Sequence, residues 1–184
     1  MPWNSGIFIA GVGGWLARNN SASDDLTAEE IAKFYGRAAR SVMPNAPKFA
    51  SVPLTLKSDQ IIAAGFSASF KLARALQIGV PLAAVWLPAA TSIVTYWTGV
   101  TFTPMPPPPG GLVGTTNIVT VPGLPTPLNF GIQSAFRKED PFKVARKLDS
   151  AMKGHLKQVT GVWTGTAPAF PSPVPLVVPW VGLS

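Results

Sequence analysis

The chain has 184 residues, enough for one domain with its own core, and it has no cysteine, which excludes disulfides and thiolate metal sites. Hydrophobic residues make up 47% of the chain and charged residues only 12%, a composition unlike that of disordered proteins. The net charge of +7 comes without a dense basic run containing interleaved aromatic residues. The composition therefore argues against specific nucleic-acid binding and supports only a weak attraction to anionic surfaces.

Charged side chains are absent from three long segments. Residues 75–136 contain no Asp, Glu, Lys or Arg, and neither do residues 1–17 and 158–184. So long an uncharged stretch is rare in a soluble domain. It predicts surfaces that are covered by the protein's own core, by neighbouring subunits or by lipid.

The N-terminal segment, residues 1–25, is expected to be an apolar arm followed by a polar linker. It has the apolar centre of a signal peptide, but the positively charged start is missing. Four glycines between Gly6 and Gly14 disfavour a helix. We therefore expect an extended arm that docks on the core or on a neighbour.

Three helices are predicted from capping residues and from apolar residues at helical spacing. Thr27 and Glu30 fit a capping box, Ser58 is the N-cap expected for the second helix, and Asp140 followed by Pro141 marks the third. The predicted helices cover residues 27–44, 58–77 and 140–159. Their Lys and Arg residues are interpreted as solvated faces without a site.

The single histidine, His155, falls in the third predicted helix. One histidine without a second ligand or a nucleophile predicts neither a metal site nor a catalytic triad. We interpret it as a surface or interface residue.

Residues 78–97 are mostly apolar and have about the length needed to cross a bilayer core. Pro81 and Pro88 each remove a backbone donor, and no Lys or Arg follows until Arg137 to set an orientation. The preferred interpretation is a buried, proline-kinked helix inside an assembly. Membrane insertion is the alternative.

Two extended proline-rich segments are predicted, with a short strand between them at residues 117–122. Residues 103–111 contain a four-proline run that favours polyproline II, and the prolines of residues 160–184 are too dense for a helix or a central strand. Such arms lose little entropy on docking. The candidate interaction residues are Trp97, Pro106, Pro107, Pro108, Pro109, Trp163, Pro173, Pro175 and Trp180.

The chain also carries a candidate internal duplication. Residues 70–76 match residues 142–148 at Phe, Lys, Ala, Arg and Leu, and the Trp-Thr-Gly of residues 97–99 recurs at residues 163–165. A proline-rich run follows each copy. The hypothesis is a repeated unit of helix, Trp-Thr-Gly turn and proline arm; chance similarity between common helix residues is the alternative.

Together these patterns predict a mainly α fold of three to four helices with long proline-rich arms and little β structure. The expected division is an arm and linker at residues 1–25, a helical core at 26–136, and a helix with a proline-rich arm at 137–184.

No reaction is predicted, because most acidic residues stand at helix starts and the glycines near residue 11 lack the context of a phosphate loop. We expect a non-enzymatic structural subunit of a large assembly, without cofactor or metal, located in a viral or phage virion (capsid or tail) or another large particle and contacting other subunits. One alternative is a membrane-associated structural protein that inserts residues 78–97. Another is a soluble adaptor whose proline runs are ligands for other domains.

Overall fold

A computed structural model describes residues 3–45, 53–75, 82–103, 113–169 and 172–184. Within these residues the elements are α1 (Ser5–Arg18), α2 (Asp24–Ala39), α3 (Gln60–Arg74), the one-turn α4 (Leu82–Val85), α5 (Leu87–Trp97), β1 (Val113–Val121), α6 (Pro125–Phe136), α7 (Pro141–Leu156), β2 (Thr160–Ala167) and β3 (Val174–Val181). The strands form one antiparallel sheet in the order β1-β2-β3.

The predicted fold class is wrong, because this sheet accompanies six helices longer than one turn and makes the fold a mixture of α and β. The error lies in the C-terminal segment, where prolines led us to expect an arm. The β2–β3 ladder passes through Pro175 and Pro179. Alternate residues of an antiparallel strand make no hydrogen bonds to a given neighbour, so prolines four positions apart can both occupy such places. Since β3 is an edge strand, no second neighbour in the sheet needs the N–H groups that these prolines lack.

The N-terminal segment is also a helix rather than an extended arm. The Asn4 side chain caps α1 by accepting a hydrogen bond from the Ile7 N–H at 3.0 Å. A Cβ at Gly11 would overlap the Phe34 ring, so this glycine lets α1 approach α2 closely. The packing gained there offsets the low helix propensity of glycine. Because α1 also packs on α7, contacts join the expected first and third segments, and the three-part division stays a prediction.

Helix starts agree with the prediction at α7 and differ at α2. Asp140 caps α7 by accepting from the Lys143 N–H at 2.7 Å, as predicted. The N-cap of α2 is Ser23, which accepts from the Leu26 N–H at 3.3 Å. Thr27 lies inside the first turn, where its hydroxyl donates to the Ser23 carbonyl, so the predicted capping box is wrong.

The apolar segment 78–97 is broken in two. Residues 78–81 lie outside the described residues, and the remainder forms α4 and α5 with a break at Trp86. Pro88 occupies the first turn of α5, where its missing N–H costs nothing. Among the described helices, none has both the length and the apolar character needed to cross a membrane.

The internal duplication is not found. Trp97 ends α5 and is followed by a turn with Gly99 at a φ of 70°, whereas the Trp-Thr-Gly of residues 163–165 lies in the middle of β2. Further helices follow α3, while β2 follows α7 directly. The two matching stretches therefore do not belong to a repeated structural unit.

An aromatic cluster at the centre of the core joins α1, α2 and α5. Trp3, Phe8, Tyr35 and Tyr96 make ring contacts at 5.1–6.5 Å. The indole N–H of Trp97 donates to the Tyr35 hydroxyl at 2.7 Å, and all these rings are buried. This cluster holds the helices together. Among the described residues, six of the fourteen exposed large hydrophobic side chains lie on the sheet.

Candidate interaction surface

Side chains of the sheet alternate between a buried inner face and an exposed outer face. On the inner face, Asn117, Trp163 and Trp180 are nearly inaccessible. The Trp180 indole N–H donates to the Asn117 side-chain oxygen at 2.8 Å, and its ring meets Phe102 edge-on at 5.8 Å. The inner face therefore belongs to the core.

The strand register defines the opposite face. Thr164 pairs with Thr116 on β1 and with Val177 on β3, so these three side chains lie side by side. The outer sheet face, as we call it, consists of Val113, Thr116, Ile118, Val121, Thr160, Val162, Thr164, Thr166, Pro175, Val177, Pro179 and Val181. None of these residues is charged.

The outer sheet face is apolar enough to favour being covered. Five of its aliphatic side chains are 36–66% exposed: Val113, Ile118, Val121, Val177 and Val181. Isolated exposed aliphatic residues are ordinary, but a contiguous uncharged group of them marks a contact surface.

Two of the four threonines of this face already have hydrogen-bond partners within the sheet. The Thr116 and Thr164 hydroxyls bond to each other, and the Thr115 hydroxyl reaches the Thr164 carbonyl at 3.1 Å. Burying a hydroxyl without a partner is costly. Because these hydroxyls have partners in the free protein, covering the face removes fewer hydrogen bonds to water.

The edges of the sheet are less open to another strand. Along β3, Pro175 and Pro179 pair with Thr166 and Val162 of β2, and neither proline has a backbone N–H to donate. Prolines at such positions remove donors that an added strand would need. On the β1 side, the Phe102 N–H donates to the Asn117 carbonyl at 2.8 Å. A partner therefore has easier access to the face than to the edges.

The predicted interaction residues fall into three groups. Trp97, Trp163 and Trp180 are buried, so their rings belong to the core and not to a surface. Pro173 and Pro175 are exposed near the start of β3. Residues 106–109 lie outside the described residues.

The residues of the outer sheet face were missed by the sequence analysis. Their signal was the alternation of threonine and valine with glycine and tryptophan at residues 160–166, which is the period of a strand. The density of nearby prolines obscured it.

His155 is buried, which corrects its interpretation as a surface or interface residue. It is 2% exposed and packs against Gly123, whose φ of 88° marks the turn after β1. Burial lowers the pKa of the imidazole from 6.5 to about 4, and the nearby Pro122 carbonyl opposes this fall. Neither ring nitrogen makes a hydrogen bond of good geometry with the described protein atoms.

A groove of about 650 Å³ lies between α2 and α3, with Asp25, Glu29, Lys33, Asp59, Gln60 and Ser67 among its lining residues. Asp25 at its rim bonds to the Ser67 hydroxyl and lies 3.1 Å from the Lys71 ammonium. The Ser67 hydrogen bond, followed by Lys71, lowers the pKa of Asp25, whereas burial raises the pKa of Asp59. Across the described part of the chain, no three His, Cys, Asp or Glu side chains are placed to hold a metal ion. We interpret the groove as the gap between two helices that the polar contacts of Asp25 with Ser67 and Lys71 hold together.

Comparison with known proteins gives no relative of this chain: no family model, curated protein or solved structure matches it. The function of the chain is therefore inferred from the geometry and chemistry of these surfaces.

Proposed function

We propose that this chain is a non-enzymatic structural subunit of a large assembly, a component of a viral or phage virion, which packs against neighbouring subunits through the outer sheet face. The observation that carries the proposal is the absence of charge from an exposed, valine-rich face. The central part of a protein interface is depleted in charged residues. Threonines that are already hydrogen-bonded make this face easier to cover.

The free energy available from this contact favours an assembly of many copies over an isolated dimer. Fully burying a valine or isoleucine side chain contributes about 1.5–3 kcal/mol, so covering five that are already partly buried contributes roughly 5 kcal/mol. Association costs about 4–15 kcal/mol in lost freedom of motion. One such contact is therefore weak, and many contacts within a particle reinforce each other.

The proposal assigns no reaction to the chain. Asp25 in the α2–α3 groove is held by Ser67 and Lys71, and His155 is enclosed in the core. A general acid or base must instead reach a substrate within hydrogen-bond distance.

The test is the mass of the protein by light scattering on a sizing column, with and without mild detergent. We expect species larger than the 19.3 kDa chain, in proportions that rise with concentration and do not respond to detergent. Val177→Lys should shift the distribution to the monomer, because a charge must then be buried at the contact. Leu124→Lys is the matched control, since both side chains are 63% exposed and Leu124 lies outside the sheet.

A wild-type protein that stays monomeric at every concentration would contradict the proposal. So would an equal response of the two lysine variants. Solubility only in detergent would instead favour the membrane-associated alternative.

A further inference from the structure

Five basic side chains form one exposed row on α7. We call this row the α7 basic stripe, and it consists of Lys143, Arg146, Lys147, Lys153 and Lys157. At 3.6 residues per turn these positions fall within about 120° of the helix circumference and span about 21 Å along its axis. The row is a single continuous surface.

The opposite side of α7 is fixed in the core. Val144, Leu148, Met152 and Leu156 are buried there, and α1 and α6 pack against the helix. The stripe is therefore held on a rigid support, and its side chains point away from the packed helices.

Few negative charges oppose this stripe. Residues 137–157 contain seven of the chain's fifteen Lys and Arg against three acids, which is a net +4 of the total +7. One of these acids, Asp149, is buried and accepts hydrogen bonds from Trp3 at 2.7 Å and Ser5 at 3.1 Å.

Among the residues that the structure describes, one member of the stripe has an acidic partner. Lys153 lies 3.4 Å from Asp149. The other four have no carboxylate within 4.0 Å among the described residues. Their charges are therefore available to a partner.

We propose that the α7 basic stripe binds the phosphate backbone of a nucleic acid without reading its sequence. Duplex DNA carries one negative charge per 1.7 Å of axis, so about twelve phosphates lie within a length of about 21 Å, and those on the near side can pair with the cations of the stripe. Four of the five residues are lysines, whose compact charge suits phosphate contact better than bidentate base recognition. The stripe shares no residue with the outer sheet face, so this inference does not depend on the proposed assembly contact.

An anionic membrane fits the same surface less well. A helix that binds at a membrane interface needs an apolar face to insert into the lipid. The apolar face of α7 is already occupied by the core, with Leu148 and Met152 fully buried. Lipid could offer the stripe only its headgroup charge.

The experiment measures binding of a fluorescein-labelled DNA duplex of mixed sequence by fluorescence anisotropy across a range of salt concentrations. For phosphate contacts from the four cations without an acidic partner, the logarithm of affinity should fall with the logarithm of salt concentration with a slope of about −3.6, which is about 150-fold between 50 and 200 mM salt. The stripe variant Lys143→Gln, Arg146→Gln and Lys147→Gln should make this slope shallower by about 2.7, leaving a loss of about 3.5-fold over the same range.

The matched control removes the same net charge from α2 through Lys33→Gln, Arg37→Gln and Arg40→Gln. All three side chains are exposed. We expect this variant to keep most of the salt slope. Circular dichroism and thermal unfolding check that both triple variants fold; if the stripe variant does not, Lys147→Gln alone should make the slope shallower by about 0.9.

Three outcomes would overturn the inference. The first is no measurable binding or a slope near zero for the wild type. The second is an equal loss in the stripe and control variants, which would mean that only the net charge matters. The third is stripe-dependent binding to phosphatidylserine vesicles, or to polyglutamate at equal charge concentration, that matches or exceeds binding to the duplex.

Discussion

Acidification should destabilise this protein through His155. In the unfolded chain the imidazole gains a proton at its ordinary pKa of 6.5, whereas burial in the folded chain lowers that pKa to about 4. Between these values the unfolded state binds one more proton than the folded state, so the free energy of unfolding falls as the pH falls. Below a pH of about 4 the folded state gains the proton as well, and the loss levels off.

The size of this effect follows from the two pKa values. Each pKa unit corresponds to 1.36 kcal/mol, so the lowering from 6.5 to about 4 is worth about 3 kcal/mol. Domains of this size are stable by about 5–15 kcal/mol. One histidine could therefore remove a large fraction of the stability in mild acid.

The assay is urea unfolding, followed by tryptophan fluorescence at several values between neutral pH and a pH of about 4, in the wild type and in His155→Leu. Asp25 and Asp59 also gain protons in acid. Protonation of Asp25, whose pKa is lowered in the folded protein, reduces the free energy of unfolding, whereas protonation of Asp59, whose pKa is raised, increases it. Both groups are present in the two proteins, so their effects cancel in the difference. The wild type should lose about 3 kcal/mol more than the variant over this range.

Parallel pH profiles for the wild type and His155→Leu would refute the reasoning. They would mean that the ring is hydrated or finds a partner once it is protonated. A variant that is less stable at neutral pH is still informative, because the prediction concerns the change of the difference with pH.

Three further predictions concern the core, and urea unfolding at neutral pH measures each of them. Tyr35→Phe removes the acceptor of the buried Trp97 indole N–H and should cost about 1–3 kcal/mol; a loss below that range would show that the indole finds another partner. Gly65→Ala places a Cβ against the backbone of α5 and should lower the free energy of unfolding by about 1–3 kcal/mol. Gly154→Ala places its Cβ in open space and should raise the free energy of unfolding by about 0.5–1 kcal/mol. A change of the same sign in both variants would contradict the packing argument. Asp149→Ala removes the buried carboxylate that ties the N-terminal segment to α7 and should cost about 3 kcal/mol, and an unchanged stability would show that this tie contributes nothing.

Capping residues predicted the start of α7 correctly and the start of α2 wrongly, because a cap is a local signal that decides only when one candidate is present. At α7, Asp140 is followed by a proline. Proline fits the first turn of a helix but not its interior, so the start of the helix is unambiguous. At α2, both Ser23 and Thr27 can cap a helix, and the sequence contains no means of choosing between them. The structure uses Ser23, which adds a turn to the helix.

Glycine in α1 illustrates a prediction from local propensity that tertiary packing reversed. Each glycine disfavours an isolated helix. At Gly11 and Gly13 the absence of a side chain admits the rings of Phe34 and Phe142 from two other helices. That benefit exists only when the three helices are assembled, so it cannot be read from the segment alone.

The sequence by itself determined the distribution of charge, the third predicted helix with its cap, and the uncharged character of the segments that became the sheet, because composition and capping act within a few residues. Only the tertiary structure decided that residues 160–167 and 174–181 pair as strands, that Trp97, Trp163 and Trp180 enter the core, and that His155 is buried. It also fixed the apolar side of α7 in the core, which leaves the basic side chains of that helix on the free side. These outcomes depend on contacts between residues far apart in the chain, where the free energy of burial outweighs local preference.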